Sequence, residues 1–206
     1  MTYGRLITYL LVTVMLIIQG CSTGPIARVS EKSDSATDKG KTATSKVDPR
    51  VQAVFKRALH AIDQSNDEQA INILTDMARA YPDLSGSHTN LGLIYFRTGD
   101  MQKAEAAFRQ AIRVNPGNAV AYNHLGILYR MAGRFSKAEN AYLSAIQNKP
   151  DYANAHLNLG ILYDVYLRRL DVALRHYKTF QSLQSEKDMT VKNWIIGLKR
   201  RARRSK

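Results

Sequence analysis

The sequence predicts an all-α solenoid of about four helix-turn-helix units, closed by a C-terminal capping helix. Three observations predict it. Residues of matching type recur at a constant interval of 34 through the middle of the chain. An apolar stripe at helical spacing follows the last recurrence. Only 5 prolines and 12 glycines interrupt 206 residues, which leaves long stretches free to be helical.

The elements are read in chain order. Leu6 to Ile18 is an apolar run broken only by Thr8, Tyr9 and Thr13, with Arg5 as the single charge before it. A bilayer core needs about 20 apolar residues, so the run is short for a permanent span and fits the hydrophobic region of a secretory signal peptide over residues 1–20. It ends in Ile18-Gln19-Gly20-Cys21, which holds the only cysteine of the protein. That ending resembles the lipobox of bacterial lipoproteins, with Ile for the usual Leu and Gln19 at a position that is commonly small or aliphatic. The resemblance implies lipidation at Cys21, palmitate among the acyl chains, and a mature N-terminus there. Two or more acyl chains hold a protein on a membrane stably. Ser22 rather than Asp after the cysteine implies, by enterobacterial sorting rules, the outer membrane and a position facing the periplasm.

Residues 21–48 continue as a polar linker. Ser22 to Asp48 contains 5 basic and 4 acidic residues and no aromatic one. With so little apolar surface to offset the cost of ordering, it is expected to be disordered, spanning about 30 Å as a flexible coil.

The folded part is expected over residues 49–187. Leu91, Leu125 and Leu159 share the interval of 34, as do Gly92, Gly126 and Gly160, and Tyr95, Tyr129 and Tyr163. Ala70, Ala104 and Ala138 keep it, as do Leu74, Phe108 and Tyr142, and Pro82, Pro116 and Pro150. These columns (Leu-Gly-x2-Tyr, then Ala-x3-Phe, then Pro) resemble the signature of the tetratricopeptide repeat. The resemblance implies a right-handed superhelix whose first helices line a concave groove. Units fall at about 51–84, 85–118, 119–152 and 153–187. Asp48-Pro49 offers a capping carboxylate followed by proline in the first turn. In the first unit Arg57 and Ala58 replace Leu-Gly, as suits a terminal repeat without a neighbour. In the fourth, Tyr163 to Ala173 spans 10 residues where Tyr95 to Ala104 and Tyr129 to Ala138 span 9, so one residue is inserted around Leu167 to Leu170. An altered turn and a rotated second helix are the expectation there.

Residues 188–206 read as a capping helix with a basic tail. Val191, Trp194, Ile195 and Leu198 form its apolar stripe, and Asp188 is a candidate cap. Trp194 reads as a buried capping residue.

Chemistry-bearing constellations are expected to be absent. One cysteine excludes a disulfide framework and a multi-cysteine zinc site. No glycine-rich phosphate loop, nucleophile elbow or carboxylate pair stands out. His88, His124 and His156 recur once per unit, and stacking would hold them about 10 Å apart, too far to share a metal. No enzyme activity, cofactor or metal is therefore expected.

A binding surface is what the family resemblance implies instead. Its groove positions map onto Thr89, Leu93, Phe96 and Arg97 in the second unit, and Asn123, Ile127, Arg130 and Met131 in the third. In the fourth they map onto Leu157, Ile161 and Asp164. Leu93, Ile127 and Ile161 make an apolar column suited to an extended segment or an amphipathic helix of another protein. Packing under the terminal helix or in a homodimer is the alternative. Repeats that clamp the C-terminal carboxylate of chaperone peptides use groove lysines, and none stands at the corresponding positions here.

Charge is concentrated at the end. The chain has 30 basic and 17 acidic residues, net +13, and Lys199 to Lys206 alone carries 6 positive charges. A tail without interleaved aromatics on an exported protein argues against nucleic acid. Lys199, Arg200, Arg201, Arg203 and Arg204 would instead meet anionic lipid headgroups, at about 1 kcal/mol per residue near such a surface, or simply stay solvated. The resulting expectation is a non-catalytic, lipid-anchored scaffold that binds an envelope protein. By resemblance to exported relatives its setting is type IV pilus or secretin assembly, and the rival is an accessory of a glycan or energy-transducing system.

Overall fold

The computed structural model describes residues 48–204, in which nine α-helices follow one another and no strand occurs. The expected signal peptide, Cys21, the expected linker up to Val47, and Ser205 and Lys206 lie outside the described residues. Helices α1 (Pro49–Asp63), α3 (Ser85–Thr98), α5 (Ala119–Met131) and α7 (Ala153–Ile161) each pair with the helix that follows. Those partners are α2 (Asp67–Ala80), α4 (Met101–Val114), α6 (Phe135–Asn148) and α8 (Leu170–Leu183). The last helix, α9 (Met189–Arg204), packs on α8. First helices also touch one another, α3 with α5 and α5 with α7, so the units stack in order and the first helices form a continuous wall. The architecture is an all-α repeat solenoid.

Local chemistry starts and stops each helix. Asp48, Asn66, Asp100 and Asn118 accept hydrogen bonds from backbone N–H groups in the first turns of α1, α2, α4 and α5. Asp188 caps α9, with its Oδ1 accepting from the N–H of Thr190 at 2.8 Å and of Val191 at 3.0 Å. Between the helices of a pair, one residue turns left-handed: Ser65, Gly99, Gly133 and Arg168. The residue after it closes the helix end with a long backbone bond, Asn66 to Ala61, Asp100 to Tyr95 and Arg134 to Tyr129.

Inside each pair a glycine meets a ring. A Cβ on Gly92 would sit 2.6 Å from Phe108, and one on Gly126 would sit 2.5 Å from Tyr142. Both rings are fully buried between Ala104 and Ala111, or Ala138 and Ala145, which are also fully buried. Glycine inside a helix costs about 1 kcal/mol relative to alanine. Here the close approach of a buried aromatic offsets that cost.

The fourth unit corrects the expectation of a rotated second helix. The extra residue is taken up as a π-helical turn, Leu162–Tyr166, at the end of α7. The closing bond then runs from Arg169 to Tyr163, one residue longer than in the other units, and still ends on the column tyrosine. Beyond it the register is restored. Ala173 and Tyr177 are buried, and a Cβ on Gly160 would meet the Tyr177 ring at 2.6 Å.

Units are also tied through polar side chains. The Tyr163 hydroxyl donates to Glu139 at 2.5 Å, and the Tyr129 hydroxyl donates to Glu105 at 3.3 Å, each reaching the preceding unit. Burial first and the Glu139 carboxylate second push the Tyr163 hydroxyl up to about 12. On α9, Val191 and Leu198 are buried against α8, while Trp194 is 38% exposed and lies against Tyr177 at a ring separation of 5.6 Å. Trp194 is thus a half-open flank of the cap, not its buried centre.

Candidate protein-binding groove

The wall of first helices presents the eleven family-implied positions, and the structure divides them. Thr89 is fully buried; its hydroxyl donates to the Ser85 carbonyl at 2.9 Å and accepts from the Asn118 amide at 2.8 Å. Asn123 is buried and accepts from Asn158 of the next unit at 3.0 Å. Leu93 is buried as well. Thr89 and Asn123 thus tie one unit to the next, because the first helices lie close enough for their polar side chains to satisfy one another, and burial closes Leu93 to a partner. Asp164 is also buried, and its carboxylate is taken: Arg201 Nη2 of α9 donates to Oδ1 at 2.7 Å and the Tyr177 hydroxyl to Oδ2 at 3.5 Å. Arg201, expected at an anionic surface, is therefore held in an ion pair within the fold.

The remaining positions stay accessible. Phe96, Ile127, Leu157 and Ile161 are half-buried. Arg97 is exposed and forms an ion pair with Asp67. Arg130 donates from Nε to the Tyr142 hydroxyl at 3.4 Å, and its guanidinium lies 5.9 Å from the centre of the Tyr166 ring. Met131 is 57% exposed beside it.

Two further residues join this strip that no motif in the sequence singled out. Val165 is 56% exposed and Tyr166 41% exposed, both on the π-turn, and Tyr166 packs on Phe135 at 4.8 Å. The only trace of them in the sequence is the inserted residue itself, which widens the helix end and turns these side chains outward. Met131, Val165 and Tyr166 are thus exposed at the ends of the third and fourth first helices, with the half-buried Arg130 and Phe135 against the Tyr166 ring. Aromatic and arginine side chains of this kind dominate protein-protein binding energy.

Among the described residues no group of three or more His, Cys, Asp or Glu is placed to hold an ion. His124 stacks on Phe108 at 5.3 Å, with its buried Nδ1 unpartnered, and burial lowers it to about 4. His156 and His176, on α7 and α8, meet at Nδ1 to Nδ1 3.1 Å, a pairing between helices that repeat spacing alone did not reveal. The Pro150 carbonyl only accepts, so the His156 Nε2–H donates to it at 3.0 Å. His156 Nδ1 is then the acceptor for the His176 Nδ1–H, an assignment that follows from the bonding pattern. Burial first, then His156 and Arg175, lower His176 to about 4.

The His124 and His176 rings are neutral in the fold and gain protons near 6.5 once unfolded, so the unfolded state binds more protons between about 4 and 6.5. Stability is accordingly complete above that window and falls as pH drops through it. At about pH 5 the loss from His124 is expected to be about 1–2 kcal/mol, with a smaller one from the partly solvated His176. Urea midpoints at about pH 7 and about pH 5 check it, and His124→Phe should flatten the dependence.

Tetratricopeptide-repeat family models match residues 83–150 and 123–181. The chain is a tetratricopeptide-repeat protein. No curated protein matches its sequence. Among solved structures, this tetratricopeptide-repeat protein is similar to MamA at 28% identity and TM-score 0.57, over 67% of this chain and 81% of that one. It is also similar to pilF of Pseudomonas aeruginosa, at 20% identity and TM-score 0.66, over 75% of this chain and 69% of that one. A third likeness is to the first tetratricopeptide domain of Spaghetti (RPAP3) bound to the HSP90 peptide SRMEEVD, at 19% identity and TM-score 0.53, over 57% of this chain and 92% of that one. The last two are likenesses of fold. Among the described residues no helix is long and apolar enough to cross a membrane. As a tetratricopeptide-repeat protein the chain has the architecture of an interaction scaffold.

Proposed function

We propose that the protein is a non-catalytic, membrane-anchored adaptor that holds a peptide or helix of an envelope complex on its wall of first helices. The observation that carries this reading is the accessible strip running from Phe96 through Ile127 and Ile161 to Met131, Val165 and Tyr166, with Arg130 among them. Such a strip offers apolar area for an amphipathic segment and a cation to orient it. The peptide bound by the similar repeats of RPAP3 supports this use of the fold. Lipidation at Cys21 is the proposed anchor to the outer membrane, facing the periplasm. Type IV pilus or secretin assembly is the setting that the resemblance to exported relatives supports.

Capture from detergent-solubilised envelope tests the groove. Met131→Asp with Val165→Asp, both at exposed positions, should leave helicity unchanged and lower recovery of bound partners by about tenfold. Unchanged partners on a folded variant would refute the groove. Labelling with a palmitate analogue tests the anchor, which is wrong if Cys21→Ser still takes up label.

A further inference from the structure

Arg130 stands apart from the other cations of the chain. From Arg50 to Arg203 it is the one lysine or arginine that is not exposed. Arg97, Arg169 and Arg201 are exposed, and each is neutralised by a carboxylate, of Asp67, Glu139 and Asp164 in turn. Arg130 is half-buried and forms no ion pair among the described residues. Its neighbours are two phenols: Nε donates to the Tyr142 hydroxyl at 3.4 Å, and the Tyr166 ring centre lies 5.9 Å away. Burial raises the Tyr142 hydroxyl above its ordinary range, so it stays neutral and is no counter-ion. Drawing a cation partly out of water without a counter-ion costs stability.

The wall around Arg130 offers no anion either. Helices α3, α5 and α7 contain no acidic residue. The π-turn adds Asp164, on which Arg201 already closes. Apolar side chains, by contrast, flank Arg130 in both directions. Ile127 is half-buried three residues before it on α5, and Phe96 is half-buried in the preceding unit. Met131 follows it directly, and Val165 and Tyr166 are exposed in the next unit. A chain that ended at Arg130 would leave one of these sides uncovered. The acidic residues Glu31, Asp34 and Asp38 of this chain do not fit the strip, because residues 30–46 hold no apolar side chain larger than alanine.

We propose that Arg130 anchors the partner protein through an aspartate or glutamate side chain inside the bound segment. Large apolar residues on either side of that carboxylate cover Phe96 and Ile127 in one direction and Val165 and Tyr166 in the other. A guanidinium fork suits a carboxylate, which it can hold through two parallel hydrogen bonds. The inference rests on the strip proposed above and gives its partner a chemistry, acidic at the centre and apolar on both flanks. It is distinct from a clamp on a terminal carboxylate, since no groove lysine takes part and the anion belongs to a side chain.

The test selects random peptides of about 16 residues, displayed on phage, against the full chain and against Arg130→Gln. The wild-type pool should converge on one acidic residue between large apolar ones. The Arg130→Gln pool should lose the acid and keep the apolar residues. The wild-type consensus peptide is then made with Glu and with Gln at the acidic position and followed by fluorescence anisotropy. The peptide change and Arg130→Gln should each weaken binding at least about tenfold, with no further loss when both are combined. The melting temperature of Arg130→Gln should be unchanged or higher, because an unneutralised charge leaves a half-buried place. A pool that does not converge or shows no acidic preference, or an affinity indifferent to Arg130→Gln, overturns the proposal. So does a clear fall in melting temperature, which would make Arg130 a structural residue. Met131→Ser with Val165→Ser separates this failure from that of the strip. If those changes abolish binding of peptides without an acidic preference, the strip stands and the anchor falls. If binding survives them unchanged, the strip falls and the anchor with it.

Discussion

Tyr142→Ala is expected to lower the unfolding free energy by about 3–5 kcal/mol, the range for removing a large buried aromatic. The ring is fully buried between Gly126 on one side and the small residues Ala138 and Ala145 on its own helix. None of these neighbours has a side chain long enough to fill the space left behind. Loss of the hydroxyl, which accepts from Arg130 Nε at 3.4 Å, adds little, because Arg130 is half-solvated and can turn to water. Tyr142→Phe should therefore cost less than about 1 kcal/mol. Guanidinium titration followed by far-ultraviolet circular dichroism measures both. In a repeat protein the loss need not be spread evenly, and hydrogen exchange should show α5 and α6 opening first. A cost for Tyr142→Ala no larger than that for Tyr142→Phe would mean that the ring is not the centre of its unit.

The second large effect falls on the partner of that ring. Gly126→Val should destabilise by about 3 kcal/mol, at the upper end for overpacking a tight core. A Cβ alone would already lie 2.5 Å from the Tyr142 ring, and the branched methyls have no room between α5 and α6. The two substitutions act on one contact, so their costs should not add. Combining Gly126→Val with Tyr142→Ala places carbon in the cavity that the lost ring creates. The double variant should be more stable than the sum of the single losses by at least about 1 kcal/mol. Additive costs would place the two residues in separate environments.

These contacts were legible before any coordinates because they recur. A glycine and an aromatic 16 residues apart, as at Gly92 and Phe108 or Gly126 and Tyr142, are locked together by two helices and a short turn. In the fourth unit the distance is 17, from Gly160 to Tyr177, and the expected rotation did not occur. One residue inserted near a helix end is cheaper to absorb as a single π-turn than by re-aiming a whole buried face. The candidate site was less legible. Phe96, Ile127, Arg130, Met131, Leu157 and Ile161 stay accessible, whereas Thr89, Leu93, Asn123 and Asp164 are spent inside the solenoid. Whether a wall position is open depends on how near the next unit comes, and Thr89 meets a residue 29 places away, Asn123 one 35 places away and Asp164 one 37 places away. No spacing rule within one unit reports such distances.

Taken alone, the chain of residues determined the helical pairs, the caps Asp48 and Asp188, and the recurring glycine and aromatic columns, since these depend on neighbours within about one turn or one hairpin. Tertiary structure alone decided that Arg201 closes on Asp164 and that Val165 and Tyr166 turn outward. The physical reason is reach. Hydrogen bonding and periodicity act over a few residues, whereas exposure and vacancy are set only when separate units have come to rest against one another.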